Sequence, residues 1–231
     1  MAVSFTQLAA INALTTNTNT YAGTAGTPAA GDLLICFAYI SATVAAGSMT
    51  GGGWTWTKLT SFATGVQTGT LYVFWAYASA ATSTTPLMDV TGDNGTGSII
   101  QCFRITGSEG VQVPSIRQFK TNTNAGSANP SVTMDAAIKT ENGVIGMSVN
   151  ATNSSTQYTA PTSWTEGGEI GMGTTPAAGG ETAFRASGET NTTITWTNAN
   201  TTAWAAIVLE INVPQFRSVS GGAAISSPMF Y

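Results

Sequence analysis

The chain has 231 residues, and 8% of them are charged, against about 25% in an ordinary soluble domain. Its 7 Lys and Arg and 11 Asp and Glu give a net charge of −4, which provides no basic surface for phosphate groups and argues against a nucleic-acid partner. Because the chain contains no histidine, it has no Ser-His-Asp or Cys-His catalytic site and no His-containing zinc site.

The low charge also bears on partners and location. Interface cores are depleted in Lys, Glu and Asp, so the composition favours a surface that contacts other protein chains; a secreted β protein rich in Thr and Asn is the alternative. The first ten residues, MAVSFTQLAA, have no basic segment followed by an apolar one, and no apolar run reaches the roughly 18 residues of a membrane span. We therefore expect a protein that is made in a cytoplasm and has no membrane partner.

Short runs rich in β-branched and aromatic residues alternate with clusters of Gly, Asn, Ser and Pro, and no window has helical periodicity. This pattern predicts an all-β protein. The strand candidates of the first half are LLICFAYI (33–40), WTWTKLT (54–60), LYVFWAYAS (71–79), LMDVT (87–91) and SIIQCFRI (98–105).

The two cysteines, Cys36 and Cys102, lie inside two of these apolar runs. A single pair of cysteines far apart in the sequence is not a disulfide framework, so we expect two buried free thiols. A disulfide between them is the alternative.

Aromatic residues offer one candidate binding site. Trp54 and Trp56 alternate with threonines, so they are expected on one face of a strand, where together with an exposed Tyr72 they could stack on a sugar ring. The favoured interpretation is that they anchor a core or an interface, because tryptophans recur in the second half, where a core would need them.

Carboxylates are the remaining source of enzyme chemistry, since glycoside hydrolysis uses two of them. The candidate pairs, Glu166 with Glu169 and Asp89 with Asp93, lie in or beside predicted turns, where solvated acids are ordinary. The stretch DVTGDNGTG (89–97) lacks the spacing and the distal Glu of a calcium loop, and its DNG indicates a hairpin turn. We expect no enzyme activity, no metal and no cofactor.

The second half begins after a long segment, residues 107–130, which we interpret as a crossover between two layers. Its strand candidates are SVTMDA (131–136), VIGMSVNA (144–151), SWTEG (163–167), TAFRAS (182–187), TITWT (193–197) and WAAIVLEI (204–211).

The two halves repeat the same order of elements, with an offset that drifts from about 111 to about 106 residues, which indicates a duplicated β unit. We predict one jelly-roll-like β-sandwich over residues 1–213, built from pseudo-repeats at about 28–106 and 129–211; two independent domains are the alternative.

Alternation along the strands predicts how they pack. In WAAIVLEI (204–211), Ala205, Ile207, Leu209 and Ile211 share the drier face, which is expected to face the core. LLICFAYI and LYVFWAYAS are apolar on both faces, which predicts central strands that are covered on both sides.

Residues 214–231 form a predicted extended C-terminal arm, with one charge at Arg217 and a Gly221-Gly222 hinge. Fixing such a segment costs about 1 to 2 kcal/mol per backbone residue, so its apolar side chains need a surface to bury them. We expect an adjacent subunit or a shell protein to provide that surface, and folding back onto the same chain is the alternative. The predicted interface residues are Phe216, Ile225, Met229, Phe230 and Tyr231.

Several motifs together carry a family resemblance that spans residues from about 28 to 211: AAGDLLICFAYI, GGGWTWTKL, IIQCFRITG, NPSVTM, ENGVIGMSV, APTSWTE and AWAAIVLEI. They resemble a repeated pattern in β-sandwich structural proteins of phage particles, and they are also similar to β-rich modules of bacterial surface proteins. The resemblance implies a structural component of a virion without an enzyme activity.

We therefore expect a non-enzymatic phage virion protein, a capsid decoration or cement protein that is made in the host cytoplasm and stabilises the shell. Its expected partners are itself, in a small homo-oligomer with a trimer favoured, and a major capsid protein or another virion protein. The alternative is a glycan-binding module of a tail fibre or adhesin that uses Trp54, Trp56 and Tyr72.

Overall fold

The computed structural model describes residues 2–15, 18–41, 47–66, 68–90, 96–108, 115–126, 129–152, 158–173, 177–199 and 202–213. These residues form β-strands and no helix, so the predicted all-β class is confirmed. The strands are β1 (Ser4–Gln7), β2 (Asn12–Leu14), β3 (Thr20–Ala22), β4 (Leu33–Ile40), β5 (Ser48–Thr50), β6 (Thr57–Ala63), β7 (Thr70–Tyr77), β8 (Leu87–Asp89), β9 (Ser98–Thr106), β10 (Ile116–Asn124), β11 (Ser131–Thr133), β12 (Gly143–Asn150), β13 (Tyr158–Thr159), β14 (Thr165–Met172), β15 (Ala178–Arg185), β16 (Thr193–Thr195), β17 (Thr197–Asn198) and β18 (Trp204–Ile211).

Each half of the chain builds one large antiparallel sheet. The first sheet has the strand order β1-β9-β4-β7-β6, with β2 also paired to β9, and the second has the order β10-β18-β12-β15-β14. The two orders match strand for strand: β4 corresponds to β12, β7 to β15 and β9 to β18. The duplication that the sequence pattern indicates is therefore visible in the pairing of the strands.

A shared irregularity aligns the two halves residue by residue. The register of β6 against β7 shifts between Lys58 and Thr60, and that of β14 against β15 shifts between Glu166 and Gly168. Aligning the two shifts makes Lys58 equivalent to Glu166, and therefore Trp56 equivalent to Trp164. Such irregularities increase local twist and end regular pairing near a sheet edge.

The two large sheets pack face to face around one central core. Alternate residues of β4 and β18 point into it and are almost completely buried, which confirms the predicted core face of β18. These residues are Leu33, Ile35, Phe37 and Tyr39 from β4 and Ala205, Ile207, Leu209 and Ile211 from β18. The protein is thus a β-sandwich with one large sheet from each half.

Both large sheets are also covered on their outer faces. The small sheet β3-β8-β5 packs on the first sheet, and the pairs β11-β16 and β13-β17 pack on the second, each over its own apolar cluster. This arrangement explains why β4 and β7 are apolar on both faces. The expectation that β18 has one core face was incomplete, because Trp204, Ala206, Val208 and Glu210 on its other face are also buried.

Two sets of contacts join the large sheets across the central core. The β2 and β9 side of the first sheet contacts β14 and β15, and Gln101 in β9 donates from Nε2 to the backbone oxygen of Gly167, at 2.7 Å, and accepts from the hydroxyl of Thr182. At the other side, the hydroxyls of Tyr77 and Ser115 are hydrogen-bonded at 2.6 Å, which joins the end of β7 to the start of β10. The counterpart of this contact, between β1 and β15, is the packing of Phe5 on Phe184 at a centroid distance of 5.2 Å, so equivalent strands occupy opposite sides, as in an isologous dimer.

Two local predictions were wrong, and one stretch of strands was not predicted at all. Residues 107–130 are not a simple crossover, because they contain β10, which pairs along β18; its polar sequence IRQFKTNTN hides the strand pattern. The first 27 residues contain three strands that the sequence pattern did not indicate. Trp54 and Trp56 precede β6 instead of lying in it, because positive φ angles at Gly51, Gly52 and Gly53 turn the chain there.

The expectation of free thiols was also wrong, because Cys36 and Cys102 form a disulfide. They lie directly opposite each other on the neighbouring strands β4 and β9, with their Cα atoms 4.1 Å apart. The register of β4 against β9 places the two cysteines side by side. The number of residues between them along the chain does not reveal that register.

We expect that the disulfide contributes about 4 kcal/mol to stability, since it closes a long loop and restricts the unfolded chain. Replacing both residues together, Cys36→Ala with Cys102→Ala, should lower the free energy of unfolding by about that amount in a urea titration. The denatured, unreduced protein should contain no thiol that reacts with a thiol reagent; a reading of two thiols per chain would contradict the pairing.

Large-to-small substitutions test the two layers of core separately. We expect Leu209→Ala, in the central core, to cost about 2 to 5 kcal/mol and Trp204→Ala, in the outer core, about 3 to 5 kcal/mol. Thr57→Ala, at an exposed position of β6, is the control and should stay within about 0.5 kcal/mol. Shifts of the denaturant midpoint equivalent to less than about 1 kcal/mol would place those side chains outside the core.

Candidate functional site

The predicted aromatic platform is largely buried. Tyr72 is fully buried, with its ring stacked on Phe74 at a centroid distance of 6.0 Å, and Trp54 is 8% exposed beside Leu34. Trp56 is half-buried, packs edge-on against Trp54 and donates from Nε1 to the backbone oxygen of Gly51 at 3.2 Å. Tyr72 and Trp54 are therefore not exposed as the stacking alternative requires, and the burial of Trp54 fits the favoured interpretation of a core anchor. The small sheet β3-β8-β5 covers Tyr72, and Trp54 packs on Leu34.

The equivalent tryptophan of the second half lines a small polar pocket. Its volume is about 130 Å³, and Trp164 forms one wall with a ring that is 9% exposed. Hydroxyl and amide side chains surround the opening, so the pocket is suited to a small polar group. Its lining residues are Pro161, Thr162, Trp164, Glu189, Asn191, Thr193, Ile194 and Thr195.

Glu189 holds this pocket in shape. It is buried and accepts hydrogen bonds from Trp164 Nε1 at 2.7 Å and from the backbone N–H groups of Thr190 and Asn191 at 2.9 and 2.8 Å, and it pairs with Arg185 at 3.2 Å. Burial alone would raise the pKa of Glu189, but these hydrogen bonds and the nearby guanidinium outweigh it and lower the pKa. Its role is to orient Trp164.

The candidate catalytic carboxylates lie in different surroundings. Glu166 is exposed and Glu169 half-buried on β14, and a third acid that the sequence pattern did not single out, Glu181, lies opposite Glu169 on β15. Asp89 ends β8, and Asp93 lies outside the described residues. In the described part of the chain, no three acidic, Cys or His side chains are placed to hold a metal ion.

Glu181 is 1% exposed, and neither of its carboxylate oxygens has a hydrogen-bond partner. Burial, followed by the charges of Glu166 and Glu169, raises its pKa to about 8. The sequence pattern carries no signal for this burial, because the equivalence of Glu181 to the core residue Tyr72 follows from strand register.

Glu210 is a second buried acid that, like Glu189, accepts four hydrogen bonds. Its Oε2 accepts from Arg117 and from Gln118 at 2.5 Å, and its Oε1 accepts from Asn142 at 2.7 Å and from the backbone N–H of Lys139 at 3.0 Å. Burial alone would raise its pKa, but the backbone hydrogen bond and the three side-chain donors lower it. This network ties β18 to β10 and to the turn before β12, so its role is structural.

The predicted arm residues Phe216, Ile225, Met229, Phe230 and Tyr231 lie outside the described residues, so their interface role stays a prediction. The described residues also contain no helix long and apolar enough to cross a membrane. Comparisons with family models, with curated proteins and with solved structures find no match to this chain.

The Glu210 network predicts a pH-dependent contribution to stability. Because the pKa of Glu210 is lower in the folded protein than its ordinary 4.5, the ionised form stabilises the fold above that value, and this stability is lost as the pH falls through the folded pKa. Glu210→Gln should therefore destabilise the protein at pH 7 and have less effect at pH 3, as measured by urea unfolding.

Arg117→Met should cost about 1.5 to 3 kcal/mol at pH 7, because it removes a hydrogen bond to a buried carboxylate. Lys120→Met, on the same strand, is the matched control: Lys120 pairs with Asp135 at the surface, where ion pairs contribute about 0 to 1 kcal/mol. Equal effects of the two substitutions would mean that the Glu210 network is not a structural anchor.

Proposed function

We propose that this chain is a non-enzymatic structural protein of a phage particle, a capsid decoration or cement protein that stabilises the shell through protein contacts. The observation that carries the proposal is the shortage of charge on its surface. The sequence has 8% charged residues, and among the acids that the structure describes the fold also buries Asp32, Glu181, Glu189 and Glu210. The remaining surface is mainly neutral and polar, and its shortage of Lys, Asp and Glu is a property that it shares with the cores of protein interfaces.

The edges of the large sheets support an assembly role. Strand β6 ends the first sheet, and its seven residues carry one charge, Lys58. Soluble β proteins usually protect such edges with charges, because unpaired backbone groups can pair with another chain. Lys58 and the register shift beside it protect the start of β6, whereas the uncharged residues 60–63 beyond them are suited to adding a strand from a neighbour, either in a homo-oligomer or on a shell protein.

The layered fold fits a structural role as well. The sheets are layered around shared buried cores, and each large sheet has an internal link: the disulfide between β4 and β9 in the first, and the Glu210 network between β18 and β10 in the second. The resemblance of GDLLICFAYI, GGGWTWTKL and AWAAIVLEI to the repeated pattern of phage particle proteins adds independent support from the sequence.

A glycan-binding module of a tail fibre or adhesin is the second candidate. Because Tyr72 and Trp54 are buried, the aromatic face that this candidate requires for stacking on a sugar is not exposed. The observation that favours it now is the polar lining of the Trp164 pocket, because its Thr and Asn side chains can hydrogen-bond to a sugar hydroxyl. Trp164 itself, at 9% exposure, is as buried as Trp54 and offers no stacking face.

Particle localisation tests the proposal directly. Particles purified from the phage that encodes this chain should contain it at a regular copy number on the head, as seen by mass spectrometry and by labelled antibody in electron microscopy. Stripped particles should lose resistance to heat and recover it when the pure protein is added back. Absence from the head would contradict the proposal, and so would glycan-array binding that is lost in Thr193→Ala and kept in Thr57→Ala.

The arm gives a further prediction, since its apolar end needs a receiving surface. Deleting residues 222–231 should leave the thermal midpoint of the isolated protein nearly unchanged and weaken its attachment to stripped particles. A truncated protein that melts much earlier and still attaches normally would show that the arm stabilises its own chain instead.

A further inference from the structure

Glu181 differs from the other buried acids that the structure describes. Asp32, Glu189 and Glu210 all accept hydrogen bonds, whereas both oxygens of Glu181 have no partner. A buried carboxylate without a partner carries a large desolvation penalty when it is ionised. The folded protein therefore favours the neutral, protonated acid at this position.

The groups around Glu181 reinforce this preference. Glu169 lies directly opposite it on β14, and Glu166 lies on the same face of that strand. Ser148 lies opposite it on β12, and the phenol of Tyr158, on β13, approaches from the covering layer, where its pKa is raised by burial and further by Glu181. The charged groups that act on Glu181 in the described chain are thus both negative.

The repeat provides an internal comparison. The position equivalent to Glu181 in the first half is Tyr72, because Ser61 and Tyr72 pair as Glu169 and Glu181 do. Tyr72 is fully buried under the small sheet and stacks on Phe74. The fold thus places a large uncharged side chain here in one half and an ionisable one in the other.

The layer that covers Glu181 is a short pair of strands with few backbone hydrogen bonds. Strands β13 and β17 pair through two residues each. Tyr158 is 8% exposed, and its backbone N–H donates to Glu169 Oε1 at 2.9 Å, while its hydroxyl accepts from Ser148 at 3.3 Å. Elements with so few backbone hydrogen bonds open at the lowest free-energy cost. If water must reach Glu181, displacing the β13-β17 pair is the easiest route.

We propose that Glu181 is a proton-dependent latch for the β13-β17 pair, which closes over the neutral acid and opens when the acid loses its proton. Opening releases one proton to solvent and lets water hydrate the carboxylate, and that water also screens it from the charges of Glu166 and Glu169. No metal or other ligand takes part in this step.

The sign of the effect follows from linkage. The pKa of Glu181 is raised in the closed form, from 4.5 to about 8, so the closed form binds a proton that the open form has already released. The latch is therefore fully closed below about pH 4.5 and weakens as the pH rises, by up to about tenfold in the opening equilibrium per pH unit. The dependence levels off above about pH 8, where both forms are ionised.

Amide hydrogen exchange measures the latch locally. Protection factors, corrected for the intrinsic pH dependence of exchange, should fall for the Tyr158 and Asn198 amides between pH 5 and 8, while that of Leu209 in the central core should not. In Glu181→Gln these factors should be high and independent of pH. The exposed Glu141→Gln is the matched control and should behave as the unmodified protein does.

Glu166→Gln changes an exposed residue and keeps the test available if Glu181→Gln does not fold. Removing that negative charge should lower the pH above which the protection factors stop falling. Protection factors that are flat from pH 5 to 8 in the unmodified protein, or that fall equally in Glu181→Gln, would overturn the proposal. So would restoration of protection at pH 8 by millimolar calcium, since a bound cation would then neutralise the carboxylates.

Discussion

The face-to-face packing of the two large sheets is the constraint on which the rest of the structure depends. Each half supplies one sheet with an apolar face, and neither face can be exposed to water without a large free-energy cost. Their union forms the central core around β4 and β18. Because the halves are related as the subunits of an isologous dimer are, the protein is in effect a dimer joined within one chain, and Gln101 and Tyr77 provide the polar contacts between its parts.

Once the central core is shared, the outer faces are free to diverge. In the first half, β4 and β9 are joined by the Cys36–Cys102 disulfide, whereas the equivalent positions in the second half are Gly146 and Val208. A Cβ on Gly146 would lie 2.8 Å from the ring of Trp196, so the glycine makes room for that tryptophan. Glu181, which occupies the position of Tyr72 in the first half, is another difference between the two outer faces. Two equivalent sheets thus carry different groups on their outer faces: the first half has a disulfide, and the second half has a buried tryptophan and an ionisable side chain.

The distribution of charge connects the fold to its proposed role. Four of the charged residues help to hold the second half together, in the pairs of Arg117 with Glu210 and Arg185 with Glu189. Such pairs fix geometry more than they add stability. What is left for the surface is largely Thr, Ser and Asn, which can hydrogen-bond to a partner without the desolvation cost of charges. A protein built in this way is suited to extensive contact with other chains.

The sequence by itself determined the all-β class, the duplication, the strands β4, β9, β12 and β18 and the core face of β18, because alternation and repetition are local properties of the chain. It also determined the chemistry that is excluded, since a chain without histidine cannot form histidine sites. It did not reveal β10, whose polar residues show no alternation, or the burial of Tyr72, which depends on a covering sheet distant in sequence. Tertiary structure alone decided the disulfide and the isolation of Glu181, because both follow from strand register, which sets neighbours across strands and leaves no trace in sequence spacing.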